Sequence, residues 1–182
     1  YRQGNMVNPI FCATLKDEPV SLKKAQIGKT RVFSGAPIDW SLAVRMYLLG
    51  FVRLVQNNKL VFESCPGTVT QSAEWGMFHK RLTAFSDDQI IAGDFKAFDK
   101  RMPPQVIEAA FDVMIAVCKA SGNYSEEDIL VLYGICEDVK NPLTDFNGDL
   151  VRFVGSNPSG WPLTVILNGL ANSLYLRYCY LV

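Results

Sequence analysis

An α+β fold, with helices packed on a small antiparallel sheet, is what this sequence predicts, and two observations carry it. Several stretches place apolar residues at helical spacing, and one segment reads as a two-stranded hairpin. In that hairpin, residues 143–146 and 150–154 flank Asn147-Gly148, a dipeptide suited to the two left-handed positions of a tight turn. The chain has 182 residues, 49% hydrophobic and 20% charged, which is enough for one domain with a real core and too apolar for a disordered one. It contains no repeat, low-complexity tract or linker.

Each element has its own signals. Residues 1–35 read as irregular or extended, punctuated by Pro9, Pro19, Gly28 and Gly35. A long helix is predicted over about 40–57, with Asp39 as its N-cap and Leu42, Met46, Leu49, Val52 and Val55 as its apolar stripe. Residues 64–72 read as loop and 72–85 as an amphipathic helix. Residues 88–93 read as a short buried strand that delivers Asp94 to its end. Pro103 and Pro104 open a helix that reaches Ala120 and stops at Ser121-Gly122-Asn123. Ser125, with Asp128 three residues later, caps a helix running to about Val139. The hairpin, the loop 155–160 and a last helix with Pro162 in its first turn complete the chain.

Composition narrows the function classes. Net charge is zero and the pI is about 6.8, but residues 21–32 carry Lys23, Lys24, Lys29 and Arg31 with no acid among them. Five cysteines, scattered and never in a C-x-x-C pair, argue against a thiolate zinc site or a disulfide framework and fit a reducing compartment. A Ser-His-Asp site would have to use His79, the one histidine, which lies on the helix expected at 72–85. Residues 161–182 are apolar enough to mimic a membrane span, but Thr164, Asn168, Asn172 and Arg177 favour a buried helix, so no transmembrane segment is expected. Without a start methionine or signal peptide, and with an uncapped apolar end, the sequence reads as a piece of a longer protein.

Three constellations carry chemistry. Asp94 and Asp99 are five apart in Gly93-Asp94-Phe95-Lys96-Ala97-Phe98-Asp99, so a continuous strand would send them to opposite faces. They can serve one site only if the chain turns between them, which suggests different tasks, one on a metal and one on another part of a ligand. Lys16-Asp17-Glu18-Pro19 leads to Lys24 and to Gly28-Lys29-Thr30-Arg31-Val32-Phe33, a basic row beside glycine that suits a polyphosphate. Gly155-Ser156-Asn157-Pro158-Ser159-Gly160 is a loop whose backbone can approach a ligand closely, and Thr164, Asn168 and Asn172 follow it on one helix face. Taken singly, each has a plainer reading: a solvated strand end, a solvated basic loop, amides bonded to nearby backbone.

In this order, the three resemble the RNA-dependent RNA polymerase of picorna-like positive-strand RNA viruses. Lys16-Asp17-Glu18 through Arg31 resembles fingers motif F, residues 93–99 resemble palm motif A, and Ser159-Gly160, Thr164 and Asn168 resemble palm motif B. The resemblance implies part of a right-hand polymerase, with residues 1–85 mainly fingers and 86–182 mainly palm, a fingers insertion lying around 120–145. It implies that Asp94 binds catalytic magnesium, or manganese, and that Asp99 reads the ribose 2′-hydroxyl of an incoming NTP with Asn168, Ser159 and Thr164. Lys16, Lys24, Lys29 and Arg31 would line the nucleotide channel, and Ser159 and Gly160 would move with the template and nascent RNA. Partners would be RNA, NTPs, the rest of the polymerase chain and other viral replication proteins, at membrane-associated replication complexes in the host cytoplasm. The Gly-Asp-Asp motif C and the thumb are missing, so the fragment alone should not polymerise. Trp161 is bulkier than the resemblance leads one to expect.

Two other function classes fit parts of the pattern. A non-catalytic RNA-binding module would use the basic row and the aromatics, but would leave carboxylates beside a phosphate path unexplained. A reverse transcriptase would share a metal aspartate but has no use for pairing Asp99 with Asn168.

Overall fold

In a computed structural model describing residues 1–182, one sheet holds four short strands: β1 (Ile10–Leu15), β2 (Val32–Gly35), β3 (Leu143–Phe146) and β4 (Asp149–Arg152). Their order is β2-β1-β3-β4. The outer pairings are antiparallel, but β1 and β3 run parallel, with Ile10 opposite Leu143 and Cys12 opposite Asp145. The sheet is therefore mixed where an antiparallel one was expected. A parallel pair needs a long crossover, and most of the helices lie in the chain between these two strands. At the β3–β4 turn, Asn147 and Gly148 both have positive φ (56° and 102°), as the dipeptide implied.

Eight helices accompany the sheet: α1 (Leu22–Gln26), α2 (Ile38–Asn57), α3 (Lys59–Phe62), α4 (Ala73–Leu82), α5 (Phe98–Arg101), α6 (Pro104–Ala120), α7 (Glu126–Lys140) and α8 (Thr164–Leu181). The short helices α1, α3 and α5 leave no periodic trace in the sequence. Helix α6 starts behind Pro103 as expected, and Gly122 takes a left-handed φ just beyond its end. Helix α7 carries a full capping box: Ser125 accepts from the amide of Asp128, and Asp128 accepts from the amide of Ser125. Asp128 serves in place of the usual Glu or Gln, and that hydrogen bonding holds its carboxyl below the ordinary range. Pro162 lies in the turn before α8, not within its first turn.

Helix α2 differs from expectation in two respects. It starts at Ile38 with Pro37 at the N-cap, and the Asp39 carboxylate accepts from the next amide, Trp40 N, at 2.8 Å. Its buried face is Trp40, Val44, Leu48, Phe51 and Val55, whereas Met46 is 82% exposed and Leu42 58%. The helix offers two apolar stripes, and the one with the two large aromatics removes more area from water. That face packs near α7 and shares one core with α6 and α8, in which Phe111 stacks on Trp161 at 6.1 Å and Trp161 lies 6.0 Å from Trp40. Phe11 of β1 packs edge-on against Trp40 at 5.5 Å, joining the sheet to this core.

The expected strand at 88–93 does not form. These residues are irregular and exposed, Ile91 at 97%. A strand persists only when its amides and carbonyls have a neighbour. In this sheet β1 and β3 are paired on both sides, and the outer edge of β2 takes Gly160. Residues 88–93 pair with none of it.

The N-terminal stretch is held by a buried polar cluster. Tyr1 donates its phenol proton to Asp138 on α7 and accepts from Trp40 Nε1 at 2.7 Å, while the Asn8 amide donates to Asp138 at 3.1 Å. The Tyr1 ring lies where a side chain on Gly134 would be, so only glycine fits there. Burial raises the Asp138 carboxyl, and the bonds from Tyr1 and Asn8 oppose that rise.

Near the far end of α8, Arg177 and Ser173 both donate to Glu63, the left-handed residue that closes α3. Those two donors, Arg177 first, pull the Glu63 carboxyl below its usual range. A depressed folded-state pKa adds stability above the unfolded value, near 4.3, that is lost as pH falls through the folded one. Both side chains are about half exposed, so the gain is no more than about 1 kcal/mol. The stability difference between wild type and Glu63→Gln, followed by urea denaturation against pH, should be present at pH 7 and shrink steadily below about pH 4.

Candidate functional site

The antiparallel ladder of β1 and β2 runs one step beyond the strands: the Lys16 amide donates to the Arg31 carbonyl at 2.8 Å. This brings two basic residues from distant parts of the sequence side by side. Glu18 sits next to them and accepts from Arg31 Nη1 at 3.4 Å, which partly neutralises and orients the guanidinium. Lys24 and Lys29 are linked to each other by backbone, Lys29 N to Lys24 O at 2.9 Å. Their side chains are exposed and do not join Lys16 and Arg31.

The second component is the turn between the two aspartates. Ala97 takes φ 56°, a left-handed conformation that a residue with a Cβ adopts reluctantly, and α5 begins immediately after it. That is the turn the Asp94–Asp99 spacing required. Phe95 and Phe98 pack on each other at 4.8 Å and on Tyr175 of α8 at 6.2 and 6.0 Å, clamping the turn against the last helix. Asp99 is thereby held half-buried, while Asp94, upstream of the clamp, stays exposed.

The third component is the loop 155–160. Gly155 N donates to Lys140 O, Ser156 N to Met102 O and Asn157 N to Asp99 O, at 2.8, 2.8 and 2.9 Å. Beyond Pro158, Ser34 N donates to Ser159 Oγ at 3.3 Å and Ala36 N to Gly160 O at 3.1 Å. The loop thus caps the open edge of β2. Gly160 lies flat on the Ser34 carbonyl, where an added Cβ would overlap it. Under the loop, Thr164 Oγ1 bonds the carbonyls of Pro158 and Trp161 at 2.9 and 3.0 Å.

These three components enclose a cleft of about 470 Å³, lined by Lys16, Arg31 and Ser34 on one side and by Asp99, Asn157 and Ser159 on the other. Beneath it, Asn168 Nδ2 donates to Asp99 Oδ1 at 2.7 Å across 69 residues of sequence. Asn157 Nδ2 donates to Asn168 Oδ1 at 2.9 Å, and Trp161 Nε1 donates to Asn157 Oδ1 at 2.8 Å. Asn172, the third member of the polar stripe, is half-buried and bonds no other side chain or carbonyl.

Of the residues singled out by sequence, Lys16, Arg31, Asp99 and Ser159 share the cleft, with Thr164, Asn168 and Gly160 supporting it. Asp94, Lys24 and Lys29 do not line it. No group of three or more acidic, histidine or cysteine side chains is placed to hold a metal ion. Asp94 is one carboxylate in an unpaired segment and does not make a cation site unaided. Sequence reasoning missed Asn157, which is 2% exposed. An amide immediately before proline, four residues ahead of a tryptophan N–H, was the available signal. Trp161 does not crowd the loop; it is 4% exposed, with its ring in the core.

The fold has a known counterpart. The structure of a protein described as Sicinivirus 3Dpol RNA-dependent RNA polymerase superposes with a TM-score of 0.75 over 95% of this chain and 35% of that one, at 20% identity. The fold is therefore that of part of a polymerase. The sequence model of the family described as viral RNA-dependent RNA polymerase matches residues 1–182, and the chain belongs to that family. It is 31% identical to the replicase polyprotein of Drosophila C virus over 98% of its length, and 35% identical to that of acute bee paralysis virus, also over 98%. An RNA1 polyprotein of Andean potato mottle virus is 33% identical over 91% of this chain. The chain spans only 10% and 9% of the two replicase polyproteins and 22% of the RNA1 polyprotein.

If Gly160 is needed for close approach to β2, Gly160→Ala should force the loop off Ser34 and cost about 1–3 kcal/mol, seen as a lower urea midpoint with unchanged m-value.

Proposed function

We propose that this chain is the fingers-and-palm segment of a polymerase that transfers nucleotides from NTPs to an RNA 3′ end, replicating a viral RNA genome. The observation that carries the reading is the Asn168–Asp99 hydrogen bond at 2.7 Å beneath a cleft with Lys16 and Arg31 at its other side. Asn168 occupies one oxygen of Asp99, and Oδ2 is left without a protein donor beside the cleft. A carboxylate fixed in that way accepts from a ribose 2′-hydroxyl, and a site built around a hydroxyl discriminates against the sugar lacking it. Ser159 and Thr164 hold the loop that carries this pairing. Lys16 and Arg31 supply charge and a planar fork for the triphosphate. Lys24 and Lys29, exposed nearby in sequence, extend the basic approach to the cleft.

Residues 1–85 are assigned mainly to the fingers and 86–182 mainly to the palm, with a fingers insertion around 120–145. Asp94 contributes one carboxylate toward a divalent cation, magnesium or manganese, whose other ligands come from outside these residues. Template and nascent RNA pass over Ser159 and Gly160. The parent protein works with other viral replication proteins at membrane-associated complexes in the host cytoplasm. No helix here is long and apolar enough to cross a membrane.

Primer extension by the full-length parent protein tests the reading. Asp94→Asn should abolish synthesis, a loss of about 10³-fold or more, with NTP and dNTP alike. Asn168→Ala should retain synthesis and lower the NTP-over-dNTP ratio by about tenfold. Full activity with Asp94→Asn would remove its metal role and favour the RNA-binding module.

A further inference from the structure

We infer that Asn157 and Trp161 are positioning residues for the Asn168–Asp99 pair: the indole N–H of Trp161 sets the orientation of two amides in series, and through them the hydrogen bond to Asp99. The inference rests on the reading of Asp99 and Asn168 given above and adds a specificity role for two residues that act through Asn168.

The physical basis is polarity. Along Trp161–Asn157–Asn168–Asp99, three hydrogen bonds of 2.8, 2.9 and 2.7 Å join four side chains. The indole at one end can only donate, and an ionised carboxylate at the other can only accept. Each amide between them has one donating and one accepting end. Only one orientation of both amides places a donor against an acceptor at all three junctions, and it is the orientation found. Turning Asn168 alone would set its Oδ1 against Asp99 and its Nδ2 against the Nδ2 of Asn157.

The starting end is well anchored. Trp161 stacks on Phe111 with an interplanar angle of 11° and is 4% exposed, so its N–H has no solvent alternative. Asn157 is 2% exposed and is tied to Asp99 a second time, by its own backbone amide at 2.9 Å. Its Nδ2 also lies 3.4 Å from the Thr164 carbonyl, which reinforces the same orientation. Asn157 is buried and cannot exchange a wrong partner for water, so the fixed donor of Trp161 sets its orientation, and Asn157 in turn favours one orientation of the half-buried Asn168.

The test uses the full-length parent polymerase and compares kcat/KM for an NTP and its matching dNTP, with thermal melting of each variant. Asn157→Asp is isosteric and leaves an acceptor for Trp161, but it presents a second acceptor to Asn168. Asn168 should then turn its Nδ2 away from Asp99, and the NTP-over-dNTP ratio should fall by about tenfold. Trp161→Phe keeps an aromatic ring against Phe111 and removes only the donor, so the ratio should fall by about threefold. A structural role would reduce both substrates equally and leave the ratio alone; that result in both variants overturns the inference. Should Asn157→Asp fail to fold, an unchanged ratio in Trp161→Phe overturns it. Asn168→Ala separates the two levels: if that variant loses discrimination while the other two keep it, the positioning role fails and the site stands. If Asn168→Ala keeps full discrimination, the reading of the site fails and the inference with it.

Discussion

The loop 155–160 has no regular structure of its own, yet much of the molecule converges on its main chain. Successive amides at 155, 156 and 157 are spent on the end of α7, the residue before Pro103 and Asp99, and the carbonyl of Gly160 receives an amide from beyond β2. An irregular buried segment is tolerable only when its polar groups are satisfied one by one. Here each is satisfied by a different part of the chain, so the loop ties those parts together. Gly155, with φ 76° against the Met102 carbonyl, and Gly160, against Ser34, permit contact distances that a Cβ would forbid.

The two aspartates have contrasting mechanical settings. Asp99 is bound through side chain and main chain, behind a turn that Phe95, Phe98 and Tyr175 clamp to α8. Asp94 lies on the other side of that clamp, on chain that no strand supports. A hydrogen-bonded sugar reader needs a fixed acceptor, and Asp99 is one. A cation ligand takes its position from the ion and the other ligands as much as from its own backbone, which makes a less constrained carboxylate workable there.

Features written in adjacent residues were legible in the sequence. Asn147-Gly148 defined its turn, Ser125 and Asp128 their capping box, and Pro103-Pro104 a helix start, because each signal acts over four residues or fewer. Two features that depend on distant neighbours were not. Residues 88–93 have strand composition, but a strand needs a paired neighbour, and no strand of this sheet pairs with them. Helix α2 has two apolar stripes, and only the arrival of Phe11 and Trp161 selects the one with Trp40. At the site, motif order brought Asp99 and Asn168 to notice, and they bond directly. Asn157 went unnoticed because its partners stand at positions 99, 164 and 168, and a loop asparagine ordinarily signals a turn.

The parallel pairing of β1 with β3 also has a consequence for how the chain is made. During synthesis the β1–β2 hairpin emerges early, but its partner β3 lies beyond α2, α6 and α7. At ordinary elongation rates that interval is on the order of 10 s. Throughout it, one edge of β1 is bare, with Phe11 of the future core beside it, while helices rich in local contacts can already form. Pairing of β3 with β1 is therefore the late event in folding, and the nascent chain is most open to mispairing at the free edge of β1, the strand that leads into Lys16.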